Sequence, residues 1–173
     1  MKEEKDGSMN REERLAFVHA HRTAIYGFNR KNDGPAMSVV YYLMDGDDLL
    51  ISTMEGRGKA KAIRRNPKAS LCVLDEQWPL TYLQVYGEAT IDATVDTDLE
   101  KVTDLLMRIL GLMAGKPMPE SVREQTRHLA RAERRVQLRV RPYATFESPP
   151  HHVYSLEDVA GLTHDLGQHL PWK

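Results

Sequence analysis

The chain is poor in cysteine. Its one thiol, Cys72, cannot form an internal disulfide. It sits in the stretch ASLCVL and reads as a small buried strand residue. An excess of either charge is also lacking. Lys and Arg total 24 against 25 Asp and Glu, a formal net charge of −1, whereas a general nucleic-acid binder is basic overall. No apolar run approaches the roughly 20 residues that a membrane span needs. The N-terminus, MKEEKDGSMNREER, has no apolar h-region and so no secretory signal; a cytoplasmic protein is expected. Internal repeats and low-complexity segments are absent too. What remains is 173 residues, 41% hydrophobic and 28% charged, enough for one globular domain with a sizeable core.

Residues 1–9 read as a disordered leader, 10–148 as the core domain and 149–173 as a helical tail. Asn10 with Glu13 forms a capping-box pattern, and a helix follows to about His21, with Leu15, Val18 and Phe17 inward. Ala24–Asn29 and Met37–Met44 read as strands. Asp45-Gly46-Asp47 marks a hairpin, with Asp48 assigned to the turn and the next strand to Leu49–Thr53. Lys59–Arg65 reads as a short helix that Asn66-Pro67 stops. Strands are expected at Ala69–Leu74 and at Thr81–Ile91, bent near Gly87. Asp96 is the expected cap of a helix over Thr97–Leu112, with Leu99, Val102, Leu105, Leu106 and Ile109 at helical spacing. A helix over Glu120–Ala132 and strands at Arg135–Val140 and Tyr143–Glu147 complete the core. Ser155 is placed to cap a last helix, with Leu156, Val159, Leu162 and Leu166 inward. Six to seven strands joined mostly by hairpins, with three to four helices, predict a mainly β fold: a small antiparallel barrel with peripheral helices.

The feature that stands out is the segment TMEGRGKAKAIRRNPK, residues 53–68. It carries six cations (Arg57, Lys59, Lys61, Arg64, Arg65 and Lys68) and one acid, Glu55. It follows the hydroxyl pair Ser52 and Thr53, passes Gly56 and Gly58, and enters the short helix. Unpaired N–H groups at a helix start, glycines that admit close approach, and Lys and Arg donors are the parts of a phosphate site. The phosphate-loop pattern G-x-x-x-x-G-K-S/T is absent. No aromatic residue interleaves the cations, so stacking of single-stranded bases is not their purpose. The simpler reading is a solvated basic helix face, and a helix this short cannot aim every cation at one ligand.

The run from Gly34 to Ile91, with its D-G-P strand entry, D-G-D hairpin, "IST…GKAKAIRRNP" and "YLQVYGEA" strand, resembles the pyridoxamine 5′-phosphate oxidase-like, FMN-binding split-barrel family. It is most similar to the branch of deazaflavin (coenzyme F420)-dependent reductases. The resemblance spans about Glu12 to Phe146. It implies a split β-barrel homodimer with two cofactor sites at the subunit interface, and no nucleic-acid or membrane partner. It places the strand of Met37, Val39, Tyr41 and Tyr42 beside the ring of the cofactor. Ser52 and Thr53 then lie beside its ribityl chain and phosphate, and Lys59 takes the place of the family's phosphate lysine. Gly58 stands where the family usually has a basic residue, and Arg57 substitutes from one position earlier. Tyr82 and Gln84 match residues that reach the cofactor from the partner strand, with Trp78 as a further wall.

The implied cofactor is coenzyme F420, with FMN as the alternative. Six clustered cations suit the polyanionic tail of the deazaflavin better than one phosphate. The implied reaction is hydride transfer from the reduced coenzyme to an unsaturated small-molecule acceptor, with Tyr41, Tyr42, Tyr82 or water supplying the proton. The alternatives are an FMN-binding oxidoreductase and a non-catalytic flavin, deazaflavin or haem-binding protein. His151, His152, His164 and His169 match no common zinc spacing, and no metal site is expected. Met107, Met113 and Met118 read most simply as helix packing, and otherwise as a pliable wall for an apolar substrate.

Overall fold

A computed structural model describes residues 9–77, 81–147 and 167–173. Residues 1–8 of the leader, Trp78, the Ser155-capped helix and the histidines at 151, 152 and 164 lie outside these residues, while Met9 is described and its N–H donates to Glu147 at 2.8 Å.

The elements follow local chemistry. Helix α1 (Arg11–Ala20) starts at the Asn10–Glu13 capping box, in which both reciprocal hydrogen bonds form. Strands β1 (Thr23–Asn29) and β2 (Pro35–Tyr41) are followed by β3 (Leu43–Asp45) and β4 (Asp48–Met54). The expected long second strand is thus interrupted at Tyr42. That side chain turns inward, is 1% exposed, and donates to the Val18 carbonyl at 2.7 Å. Asp48 belongs to the strand and not the turn, because it pairs with Asp45. The loop is then Gly46-Asp47, with Gly46 at φ +60°, where a two-residue hairpin takes glycine.

Helix α2 (Gly58–Ile63) leads to β5 (Lys68–Leu74) and the long β6 (Tyr82–Thr94). Helix α3 (Leu99–Ala114) is capped by Asp98, whose side chain accepts from the Lys101 N–H. Asp96 was the expected cap, but its carboxylate instead pairs with Arg134 at 2.9 Å. A single 3-10 turn (Glu120–Val122) precedes α4 (Arg123–Ala132), and β7 (Arg135–Glu147) runs unbroken through the two predicted strands. The described end of the tail is a short strand, β8 (Gln168–Pro171), where a helical tail was expected. Strand β4 covers only the first half of β7, and β8 pairs with the free second half, from Ala144 to Glu147.

The sheet is antiparallel throughout, in the order β2-β1-β5-β6-β7-β4-β3 with β8 beside β7. It curls into a split half-barrel with four α-helices around it among the described residues. The inner face buries Tyr26, Leu49, Ile51, Leu71, Val85 and Leu138. Val136, Leu138 and Val140 all face inward as their alternation predicts. Cys72 does not. It lies on the opposite face of β5, partly exposed, because Leu71 and Val73 take the inward positions. Helix α3 uses two apolar stripes. Val102 and Leu106 pack with Ala93 and Ala130, while Leu105 and Ile109 pack with Leu50, Tyr41 and Leu43. Arg14, buried at 6% exposure, ties the ends together by donating to the carbonyls of Met9 and Pro171.

The predicted bend falls at Gly87, where the register of β6 against β7 shifts. A Cβ there would lie 2.5 Å from Val140 Cγ1 and 2.9 Å from the Arg141 carbonyl oxygen, so only glycine lets the two backbones meet. Gly87→Ala is expected to lower unfolding free energy by about 2–3 kcal/mol, read from chemical denaturation. A loss below half a kilocalorie would show that the bend is not held by this contact.

Candidate functional site

Strand β4 delivers the hydroxyl pair. Ser52 stands opposite Gln137, Thr53 opposite Val136, and Met54 opposite Arg135. The chain then turns towards α2, and the turn is held from behind. Glu55 accepts from Arg134 Nε at 3.0 Å and from Arg64 at 2.8 Å, while its N–H donates to the Arg134 carbonyl. Those two guanidiniums, Arg134 foremost, hold the Glu55 carboxyl below its ordinary range. Arg134 itself sits at φ +47°, a left-handed position that disfavours any residue but glycine. Its side chain closes the ion pairs to Glu55 and Asp96 in return.

The six cations do not converge. Arg64 is spent on Glu55, Arg65 donates to the Lys61 carbonyl, and Lys68 pairs with Glu88 over the ring of Tyr143. Two of the six, Arg57 and Lys59, line a groove of about 390 Å³. With them stand Ser52, Thr53, Val39 and Tyr41, so six of the residues singled out in the sequence share one cavity. Helix α2 reaches the groove because Ala60, Ala62 and Ile63 bury its other side. At Gly58 a Cβ would lie 3.3 Å from the Phe28 ring, so a side chain there would need that ring to give by a few tenths of an ångström.

Lys59 is the unusual group. Burial, and then the charge of Arg57, push its pKa down. Among the described residues, neither Lys59 nor Arg57 has a carboxylate at ion-pair distance. A half-buried ammonium without a counter-ion is unfavourable, and an anion in the groove would offset that cost. Ser38 also lines the groove, but its Oγ is sealed off from it, buried without a hydrogen-bond partner on the face of β2 that it shares with Tyr26.

The other predicted residues lie elsewhere. Tyr42 is in the core. Gly58 opens α2 and does not line the groove. Met37 points outward, 74% exposed. Tyr82 and Gln84 sit on β6 opposite Leu74 and Cys72, away from this groove. Sequence reasoning missed Ser38, Met54, Ile109 and Arg135, all of which line it. Arg135, paired with Glu133 at 2.6 Å, was visible only as the first residue of a strand. Met113, read most simply as packing, is 59% exposed and forms part of the wall. Among the described residues no group of three or more His, Cys, Asp or Glu could hold a metal ion, and no helix is long and apolar enough to cross a membrane.

Comparison with known proteins gives the frame. The family model described as pyridoxamine 5′-phosphate oxidase matches residues 11–141. No curated protein sequence matches significantly. Among solved structures, the chain is similar to an F420 reductase at 23% identity, covering 75% of this chain and 93% of that one, with a TM-score of 0.55. It is similar to a conserved hypothetical protein from Mycobacterium tuberculosis at 20% identity, covering 96% of both chains, with a TM-score of 0.67. A heme binding protein from Mycobacterium smegmatis has 10% identity and a TM-score of 0.61, covering 95% of this chain and 59% of that one. At these identities the likenesses show the fold.

The turn behind the groove makes a prediction about Arg134. Arg134→Ala loses the Glu55 and Asp96 pairs and keeps the unfavourable φ, whereas Arg134→Gly loses the same pairs but relieves the backbone. Thermal melts should rank Arg134→Gly above Arg134→Ala. The reverse order would show that the left-handed backbone carries no cost.

Proposed function

As the chain belongs to the pyridoxamine 5′-phosphate oxidase family, we propose that its groove holds the phosphate end of a flavin-type cofactor, coenzyme F420, and that the protein is an oxidoreductase. The observation that carries this reading is Lys59, half-buried and without a carboxylate partner beside Arg57. The donor set fits a phosphate and its polyol. Lys59 and Arg57 supply charge, and Ser52 and Thr53 supply hydroxyls. When bound, the cofactor supplies two-electron hydride chemistry for reduction of an unsaturated small molecule.

The chain's own residues then bind, orient and exclude water. Val39, Ile109 and Met113 give the groove apolar surface. Of the three tyrosines considered as proton donors, Tyr41 lines the groove. Burial pushes the Tyr42 phenol up and out of reach of ordinary titration, and its proton is committed to the Val18 carbonyl. Tyr82 stands on a different strand. Within one copy of the chain, Tyr41 is therefore the side chain from which a proton would reach the acceptor; Tyr82 could do so only from a second copy.

FMN is the second reading, and one observation favours it. Four of the six clustered cations turn away from the groove, so the charge there suits one phosphate as well as a longer polyanion. The cofactor site in this reading is shared by two copies of the chain. Met37 and Val39 leave a large apolar edge exposed on β2, at 74% and 73%. Gln84 lies on the same face in one row across the sheet, through Val39↔Ile25↔Cys72↔Gln84. Packing a second copy on that face would bring Tyr82 and Gln84 towards the partner's groove. A cytoplasmic setting, where reduced coenzyme is available, accords with this reading.

Titration of the purified, cofactor-stripped protein with coenzyme F420 and separately with FMN tests the proposal. Preferential F420 binding is expected, with Lys59→Ala weakening it about tenfold or more. Tighter FMN binding would move the protein to the flavin reading, and no binding of either would overturn both. The affinity should also fall as pH rises. Because burial and Arg57 hold the Lys59 pKa down, the ammonium is lost at a lower pH than in an exposed lysine. The decline should begin earlier in the wild type than in Lys59→Arg, whose guanidinium stays charged. Identical pH profiles would show that Lys59 does not meet the anion.

A further inference from the structure

A second cavity, of about 440 Å³, lies against the C-terminal turns of α3, with Arg22, Leu43, Arg108 and Lys116 in its wall. Its size is within the range of small-molecule sites, roughly 300–1,000 Å³. It is distinct from the groove. Ile109 and Met113 of α3 line the groove, while Met107, Arg108, Gly111 and Leu112 line the cavity.

The cavity is built by a glycine-dependent helix end. Gly115, at φ +68°, ends α3 in a left-handed cap. Its N–H donates to the Leu112 carbonyl, and the Lys116 N–H donates to the Gly111 carbonyl. A Cβ on Gly111 would lie 3.1 Å from the Lys116 carbonyl oxygen, so glycine there lets the loop fold back onto the helix. Met107, Leu112, Pro117 and Met118 then give apolar walls, with flexible thioethers that adapt to a guest.

The charge is one-sided. Arg22, Arg108 and Lys116 border the cavity, and no carboxylate lines it. Among the described residues, none of these three side chains has an ion-pair partner, unlike Arg123, Arg127 and Arg139. Their charge is not needed for the last carbonyls of α3, two of which already accept backbone N–H groups. Apolar walls with an unneutralised cationic rim complement a ligand that is apolar at one end and anionic at the other.

We infer that this cavity binds a small amphipathic carboxylate, with its apolar body against Met107, Leu112 and Met118 and its carboxylate at Arg108, Lys116 and Arg22. This inference is independent of the cofactor reading, because it concerns the other side of α3.

The test uses the whole chain labelled with ¹³C at the methionine methyls, titrated with 4-phenylbutyrate and, separately, with 4-phenylbutan-1-ol. Single Met→Leu variants assign the signals. Met107 and Met118 report the cavity and Met113 the groove. The expected result is saturable movement of the Met107 and Met118 signals by the acid, with the alcohol binding about tenfold more weakly. The double variant Arg108→Gln with Lys116→Gln, both exposed positions, should remove the preference for the acid and leave alcohol binding as it was. Leu112→Trp, which fills the cavity, should abolish both. Equal binding of acid and alcohol, movement confined to Met113, or no saturable binding would each overturn the inference.

Discussion

The pairing of β6 with β7 is the contact on which the rest of the fold hangs. The two strands run together from Gln84↔Phe146 to Thr94↔Val136. Strands β5, β1 and β2 extend from the far side of β6, and β4, β3 and β8 from the far side of β7. Every layer of the half-barrel is therefore positioned through this one ribbon. Its two register shifts, at Tyr86/Gly87 and Ile91/Ala93, bend it so that a single sheet can curl around a core. The first shift depends on a glycine that brings backbone against backbone. Strand β8 adds to the same logic, since it occupies an edge that would otherwise leave peptide groups unpaired.

The register of β4 on β7 decides what the groove contains. Because Met54 falls opposite Arg135, the turn after β4 meets the turn before β7. Glu55 and Arg134 then clasp each other from neighbouring turns. The one acid of the basic segment is thus consumed at the back, and Lys59 and Arg57 face the groove without a carboxylate. A comparable clasp holds the other end of β4. Arg139 joins Asp45, Asp48 and Asp92, and its charge is reinforced first by the hydrogen bond to Asp45. Both devices are surface or near-surface networks. Their worth lies in fixing register and turn geometry more than in raw stability.

Much of this was legible in the sequence. Periodicity placed nearly every element, and the inward face of Val136, Leu138 and Val140 followed from alternation. Local competition was harder to see. Asp96 and Asp98 are both good caps, and only the tertiary pull of Arg134 on Asp96 separates them. Tyr42 looked like a continuation of its strand because the hydrogen bond from its phenol to Val18 is long-range. Cys72 was misplaced because a run of small apolar residues does not announce which alternate positions face inward. In the site, the chemistry of Ser52, Thr53, Arg57 and Lys59 was visible as a local motif. Ser38, Ile109 and Arg135 come from three separate elements, and nothing local marks them.

Closeness along the chain overstated closeness in space. Only Lys59 and Lys61 lie within α2; the other four cations sit at its ends, in the turn that follows and on β5, so a cluster in sequence disperses in space. Three of the six find partners of their own, and the argument from total charge loses its force. What replaces it is depth. A lysine in open solvent, away from any cavity, is ordinary without a partner, but a half-buried one pays a desolvation penalty that folding does not return. The surrounding turn is held by the Glu55–Arg134 pair, with Arg134 in a left-handed conformation. Strain and unneutralised charge gathered at one concave surface are what a ligand site requires before its ligand arrives, and the ion that would relieve them carries negative charge.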